Sequence, residues 1–261
     1  MSGAPGLDPA AVAAMPRVVV LTGTDTDVGK TVATAVLASA LARLGRSVAV
    51  DKPVQTGVLP REAGDAVTVG RIAGRLGTAP GSLAVGEGLR LTPPMAPRPA
   101  AALDGVDLPP LEAHAERIAG LARTRDHVLV EGSGGLLVEL DATRRTLADL
   151  ALLLRERVDA DSGVVVVVRA ALGTLNHTAL TLEALAARGL PVLGTVIGSW
   201  PCAPGPVERS NREHLAALAA PQLGVLPAGL GALPSPDPAG PRPPVPGEPV
   251  RPSAQRDTTA A

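Results

Sequence analysis

The stretch "VVVLTGTDTDVGKTV" (Val18–Val32) joins three signals in a row: a β-branched run, a Gly/Thr/Asp loop and Gly29-Lys30-Thr31 at the opening of an Ala-rich helical segment. A strand that feeds a glycine loop and then a helix N-terminus makes an anion cradle, because backbone N–H groups and the positive end of the helix dipole converge there. In that context Lys30 bridges terminal phosphates and the Thr31 hydroxyl ligates Mg2+, so the stretch reads as a P-loop. Val28, Gly29, Lys30, Thr31 and Val32 are the expected nucleotide contacts. One departure stands out: Gly23 comes one residue earlier than the usual G-x-x-x-x-G-K-[ST] spacing requires, and Thr24 occupies that position.

Outward from this stretch, short β-branched runs alternate with longer helical segments. Strands are expected at Arg17–Thr22, Ser47–Asp51, His127–Glu131, Val164–Val168, Pro191–Ile197 and Gln222–Leu226. Helices are expected at Lys30–Leu44, Leu111–Arg123, Thr146–Arg157, Asn176–Arg188 and Val207–Ala219. That alternation implies an α/β fold, P-loop NTPase-like, with a mostly parallel sheet flanked by helices on both faces. The five consecutive valines Val164–Val168 demand burial on both faces of that sheet. Residues 17–234 are assigned to this domain, residues 1–16 to a disordered extension, and 235–261 to a disordered Pro-rich tail. The Pro-rich segment Leu91–Pro110 reads as a long loop over the domain, and its length makes it a candidate part of a site.

Composition excludes several classes. The formal net charge is −1, and the chain has no Phe or Tyr, which argues against a nucleic-acid binder needing a basic surface or stacking platforms. No run approaches the ~20 apolar residues of a membrane helix. The single cysteine, Cys202, and the lack of Cys/His spacing of the zinc type point to a reducing, cytoplasmic setting. Of 24 basic residues only Lys30 and Lys52 are lysine. A composition biased toward arginine explains the scarcity, while the compact, rotatable ammonium suits a tight anion pocket better than a planar guanidinium.

Acidic groups at neighbouring strand ends complete the metal reading. Glu131 ends one strand and leads into Gly132, Ser133 and Gly134, and Asp65 stands at a helix start after the Lys52 strand. Thr31, Asp65 and Glu131 are the candidate Mg2+ ligands, an all-oxygen set of the kind this ion prefers. For Asp65 alone an N-cap role explains the residue equally well. For Asp27 a favourable charge near the helix dipole does the same.

With "GTDTDVGKT", "KPVQTG", "VEGSGG" and "LGTLNHTALT" in this order, the chain from about Val18 to Gly229 resembles the dethiobiotin synthetases of biotin biosynthesis. The resemblance implies a homodimeric enzyme whose small-molecule substrates are 7,8-diaminopelargonate, CO2 and ATP. The diamine takes up CO2 as a carbamate, ATP phosphorylates it, and the second amine displaces phosphate to close a ureido ring. It further implies Lys52 and Lys30 as catalytic cations on either side of the transferred phosphoryl group, Thr26 and Asp27 as nucleotide contacts bordering the γ-phosphate and the substrate amine, and Thr56 as a contact to the diamine or carbamate. Gly173, Thr174, Leu175 and Asn176 would hold the distal carboxylate in the neighbouring subunit's site. Gly198, Ser199, Pro227, Ala228 and Gly229 would surround the base. Because Gly198-Ser199 replaces an Asn found in some members, another triphosphate such as CTP is an open alternative.

Two other readings use the same P-loop. A nucleotide-switched partitioning-type ATPase would need switch loops and a basic or amphipathic partner surface, neither of which the sequence offers. An amidating synthase would need a glutaminase half with its own nucleophilic cysteine, for which the chain is too short.

Overall fold

A computed structural model describes residues 6–218 and 220–232 of the chain. Seven strands form one sheet: β1 (Val18–Gly23), β2 (Val48–Gln55), β3 (Leu83–Arg90), β4 (His127–Gly135), β5 (Ser162–Val168), β6 (Val192–Trp200) and β7 (Gln222–Pro227). Their order is β3-β2-β4-β1-β5-β6-β7, and every pairing is parallel. Eight helices accompany them among the described residues: α1 (Pro9–Ala13), α2 (Lys30–Arg43), α3 (Asp65–Arg75), α4 (Pro97–Asp104), α5 (Leu111–Ala122), α6 (Leu147–Arg157), α7 (Thr174–Ala186) and α8 (Pro206–Ala216).

The β-branched runs are central strands because parallel strands covered on both faces must be apolar throughout. Alternate residues of one run feed opposite cores. Val18, Val20, Val164, Val166 and Val168 pack with Leu111, Ile118, Leu147, Leu150 and Leu154. Val19, Leu21, Val165 and Val167 pack with Ala35, Leu37, Leu41, Val69 and Ile72 on the other side. Helix α2 contributes ten buried residues, so its nearly all-round apolar character reflects a position between the sheet and its neighbours.

Several elements depart from the sequence expectations. Strand β2 continues past Asp51 through Lys52 to Gln55. Up to Asp51 it pairs with both neighbours, but beyond that it pairs only with β3, an arrangement that can carry Pro53 without an N–H. Strand β4 likewise runs through the glycines to Gly135 instead of stopping at Glu131. Strand β3, "LAVGEGLR", is half-exposed and broken by glycines, so its signal is weak. Part of the Pro-rich segment is helical, since Pro97 at N1 and the alanines that follow favour α4.

The expectation of disorder through residue 16 is corrected at residues 6–16. Helix α1 has Asp8 as its N-cap, Leu7, Val12 and Met15 are buried, and Leu7 forms an antiparallel bridge to Gly224 beside β7. The 235–261 tail lies outside the described residues.

Candidate functional site

The strand order creates the site. Because β4 lies between β2 and β1, Glu131 stands between the Lys52 strand and the P-loop; Leu21 is in register with Glu131, and Asp51 with Val130. The carboxyl ends of these three strands open into a cavity of about 730 Å3, the usual position for a ligand in an open parallel sheet. Thr26, Asp27, Gly29, Lys30, Thr31 and Val32 line it on the P-loop side. Lys52, Gln55, Thr56, Gly57, Asp65, Glu131, Ser133 and Gly134 line the rest, together with the apolar side chains of Val58, Pro94, Met95, Ala96, Pro97 and Val138.

The P-loop explains its own irregular glycine. Lys30 turns back so that its Nζ donates to the Asp25 carbonyl at 2.9 Å. A Cβ at Gly23 would stand 2.9 Å from that Nζ and 2.7 Å from the Asp25 oxygen, so the early glycine leaves room for the folded-back lysine. At the other end of the loop, Gly29 has φ +96° and rests on Gly198 of β6. A Cβ on Gly198 would come within 2.1 Å of the Val28 carbonyl, so an Asn could not stand there without moving the loop. Burial, followed by repulsion from Lys52, lowers the Lys30 pKa to about 8.

Lys52 is 3% exposed and Glu131 1%. The Lys52 Nζ lies 2.6 Å from Asp65 Oδ2 and donates to Glu131 Oε1 at 3.0 Å and to the Gly132 carbonyl at 3.2 Å. Burial opposes the charge on Lys52, but the Glu131 and Asp65 carboxylates outweigh it and hold its pKa above the ordinary lysine value. The Thr31 hydroxyl donates to the same Glu131 Oε1 at 2.9 Å. Glu131 Oε2 is buried and has no hydrogen-bond partner. A buried carboxylate oxygen without a partner is costly, and a bound cation would satisfy it.

The residues fit a Mg2+ ion. Thr31, Asp65 and Glu131 offer only oxygen donors, and among the described residues no group of three His, Cys, Asp or Glu side chains forms a self-sufficient metal cage. Two carboxylates and a hydroxyl that leave positions for phosphate and water match the way Mg2+ is held in nucleotide sites. The N-cap alternative for Asp65 is corrected: Gly64 is the N-cap of α3, and Asp65 is its first helical residue.

The remaining predicted residues are distributed around this centre. Val28 and Gly132 are next to cavity residues but do not line it. Gly198 and Ser199, near the end of β6, do not line the cavity, nor does the Pro227–Gly229 segment, which is joined to Trp200 of β6 by an Ala228 N–H to Trp200 carbonyl bond of 2.7 Å. The continuation of that segment reaches the P-loop helix, since a Cβ at Gly231 would lie 2.5 Å from Val32 Cγ2. Gly173, Thr174, Leu175 and Asn176 form the N-terminus of α7 and do not line the cavity. Pro94–Pro97 belong to the Leu91–Pro110 segment expected to join a site, whereas Gln55, Gly57, Val58 and Val138 are missed in the sequence. Gln55 lay within a quoted motif, but a glutamine in a strand carries no chemistry that singles it out.

A family model described as an AAA domain matches residues 17–231. The ATP-dependent dethiobiotin synthetase BioD of Mycobacterium avium (strain 104) is 53% identical over 217 residues, covering 83% of this chain and 89% of that protein. The chain belongs to the dethiobiotin synthetase family. The Rhodococcus jostii (strain RHA1) member is 48% identical, over 84% of this chain and 89% of its own length. Among solved structures, the Pyrococcus furiosus cell division ATPase MinD superposes with a TM-score of 0.50 at 18% identity, covering 82% of this chain and 84% of that one. At that identity the likeness concerns the α/β fold shared by the dethiobiotin synthetase family, not its chemistry. No helix among the described residues is long and apolar enough to cross a membrane.

Proposed function

We infer that this cavity carries out the dethiobiotin synthetase reaction of the chain's family, the ATP-dependent closure of a ureido ring in biotin synthesis. The observation that carries the assignment of residues is the position of Lys52. Its buried ammonium faces the same cavity as Lys30, so two cations stand ready around one transferred phosphoryl group.

The chemistry follows from that arrangement. One amine of 7,8-diaminopelargonate adds to CO2 and loses a proton, giving a carbamate. A carbamate oxygen attacks the γ-phosphorus of ATP, and the bond to the bridging oxygen of ADP breaks. The second amine then attacks the carbamoyl carbon and gives up a proton, phosphate leaves with the electron pair of the C–O bond, and the ring is closed. Negative charge accumulates between the two anions in the second step, where Lys52 and Lys30 supply preorganised positive charge. Such positioning and electrostatics are most of what phosphoryl transfer requires.

Thr31, Asp65 and Glu131 would hold Mg2+, which supplies charge neutralisation on the triphosphate. Thr26 and Asp27 would border the γ-phosphate and the substrate amine, with Ser133 and Gly134 lining the same cavity. Thr56 contacts the diamine or carbamate. The apolar side chains lining the cavity, including Val58 and Met95, suit the hydrocarbon chain of the diamine. The base site assigned to Gly198, Ser199, Pro227, Ala228 and Gly229 offers backbone groups and one hydroxyl, which supports tolerance of a second triphosphate such as CTP.

A homodimer is part of this reading. Leu172, 82% exposed, and Leu180 present apolar surface at and along α7. The amides of Gly173–Asn176 at its N-terminus would hold the distal carboxylate of the partner's substrate. The lone free cysteine and absence of a long apolar helix among the described residues support a cytoplasmic enzyme.

The test combines purified protein with 7,8-diaminopelargonate, bicarbonate, Mg2+ and either ATP or CTP, with dethiobiotin followed by mass. Product that depends on every component is expected. No product with any triphosphate would overturn the reading.

A further inference from the structure

We propose that Gln55 is a positioning residue for Asp65, and that it sets how strongly Mg2+ and nucleotide bind together. This rests on the metal reading above. Gln55 is the last residue of β2, faces the cavity and is 4% exposed. Its Oε1 accepts the Asp65 backbone N–H at 2.7 Å, and its Nε2 donates to the Thr56 carbonyl at 3.0 Å. Both ends of the amide are therefore committed inside the protein, and the side chain has one orientation.

The bond to Asp65 matters because α3 lacks a local cap. Gly64 has no side chain to receive the first N–H groups of the helix, so the acceptor comes from another element. Strand β2 thereby holds Asp65 twice, through Gln55 at the backbone and through Lys52 at the carboxylate. The Lys52 contact must loosen if the carboxylate turns to a metal ion. The Gln55 contact need not, and it keeps the helix start in place during that exchange.

The surroundings leave little slack. A Cβ at Gly64 would lie 2.1 Å from Glu87 Oε1 and 2.9 Å from Gln55 Oε1. Glu87 is paired with Arg90 at 2.5 Å, and Arg90 in turn donates to the carbonyls of Leu59 at 3.2 Å and Glu62 at 2.7 Å. The segment leading into Asp65 is thus gripped from β3 while Gln55 fixes its end. Groups that orient metal ligands through such bonds commonly change metal affinity when lost.

The experiment measures binding of a non-hydrolysable ATP analogue by calorimetry, with Mg2+ and with chelator, for the native protein, Gln55→Met and Gln55→Glu. Native protein must first bind the analogue more tightly with Mg2+; if it does not, the metal reading fails, separately from this proposal. Gln55→Met keeps shape but loses both hydrogen bonds, and the Mg2+-dependent gain should fall by about tenfold, with metal-free affinity unchanged. Gln55→Glu keeps the acceptor for Asp65 but sets a carboxylate oxygen against the Thr56 carbonyl, and should retain more of the gain than Gln55→Met. Thermal melts confirm that each variant is folded. An undiminished gain in folded Gln55→Met, equal losses with and without Mg2+, or equal losses in both variants would each overturn the proposal.

Discussion

Asp51 and Lys52 are adjacent on β2, yet they belong to two buried charge groups with opposite properties. On one side, the Asp51 carboxylate receives Arg117 Nε at 2.9 Å and Nη2 at 2.8 Å, a bidentate pair in which both oxygens are used. Arg117 Nη1 also reaches His114 Nδ1 at 3.2 Å within α5, while the pair with Asp51 ties that helix to the strand. On the other side, Lys52 serves two carboxylates, leaves Glu131 Oε2 without a partner, and opens on a cavity. A carboxylate with both oxygens paired to a guanidinium holds the fold, whereas one with an unpartnered oxygen beside open space is ready for a ligand.

Lys52→Arg should break the comparison most sharply. It retains the charge but not the compact shape, so turnover should fall by roughly 100- to 1,000-fold, about 3–4 kcal/mol, as for loss of a preorganised transition-state donor. Nucleotide binding should persist. Steady-state dethiobiotin formation alongside nucleotide titration checks both, and turnover within tenfold of native would mean that lysine here reflects composition alone.

Arg117→Ala probes the other group. It leaves Asp51 buried and uncompensated, which costs about 3 kcal/mol of unfolding free energy, with some relief because the Arg117 side chain is itself partly solvated. Urea denaturation measures the loss, and the folded protein should keep its turnover within a few-fold. Lost turnover at native stability would move Asp51 and Arg117 into the site.

The smallest effect sharpens the contrast through pH. Burial, then the adjacent Arg117 charge, pushes the His114 pKa down to about 4. The unfolded chain therefore binds this proton first as pH falls, and stability is lost between the ordinary histidine pKa and 4. The linked loss from pH 7 to pH 5 is about 2 kcal/mol. Comparing urea midpoints of native protein and His114→Gln across that range should show a shallower acid slope in the variant.

The central strands and the P-loop were legible because burial on both faces forces unbroken β-branched runs, and phosphate binding forces Gly29-Lys30-Thr31. Asp65 and Glu131 were also legible as candidates, since each follows a strand that must end near the loop. Lys52 was recognised, but one residue past the expected strand end at Asp51, and only the one-sided pairing with β3 shows why the strand continues through Pro53. Strand β3 and Gln55 escaped because their roles depend on partners distant in sequence. Gln55 acts through a hydrogen bond to a helix start ten residues away, which no periodicity marks.

The bridge from Leu7 to Gly224 has a consequence for behaviour at high concentration. It brings backbone bonds from Asp8 to Leu223 and from Val225 to Gly6, at 2.8 and 3.0 Å, to the outermost strand on that side. Polar groups that could template another molecule's strand are partly occupied by the chain's own first residues. The N-terminal segment thus acts as a guard against edge-to-edge polymerisation.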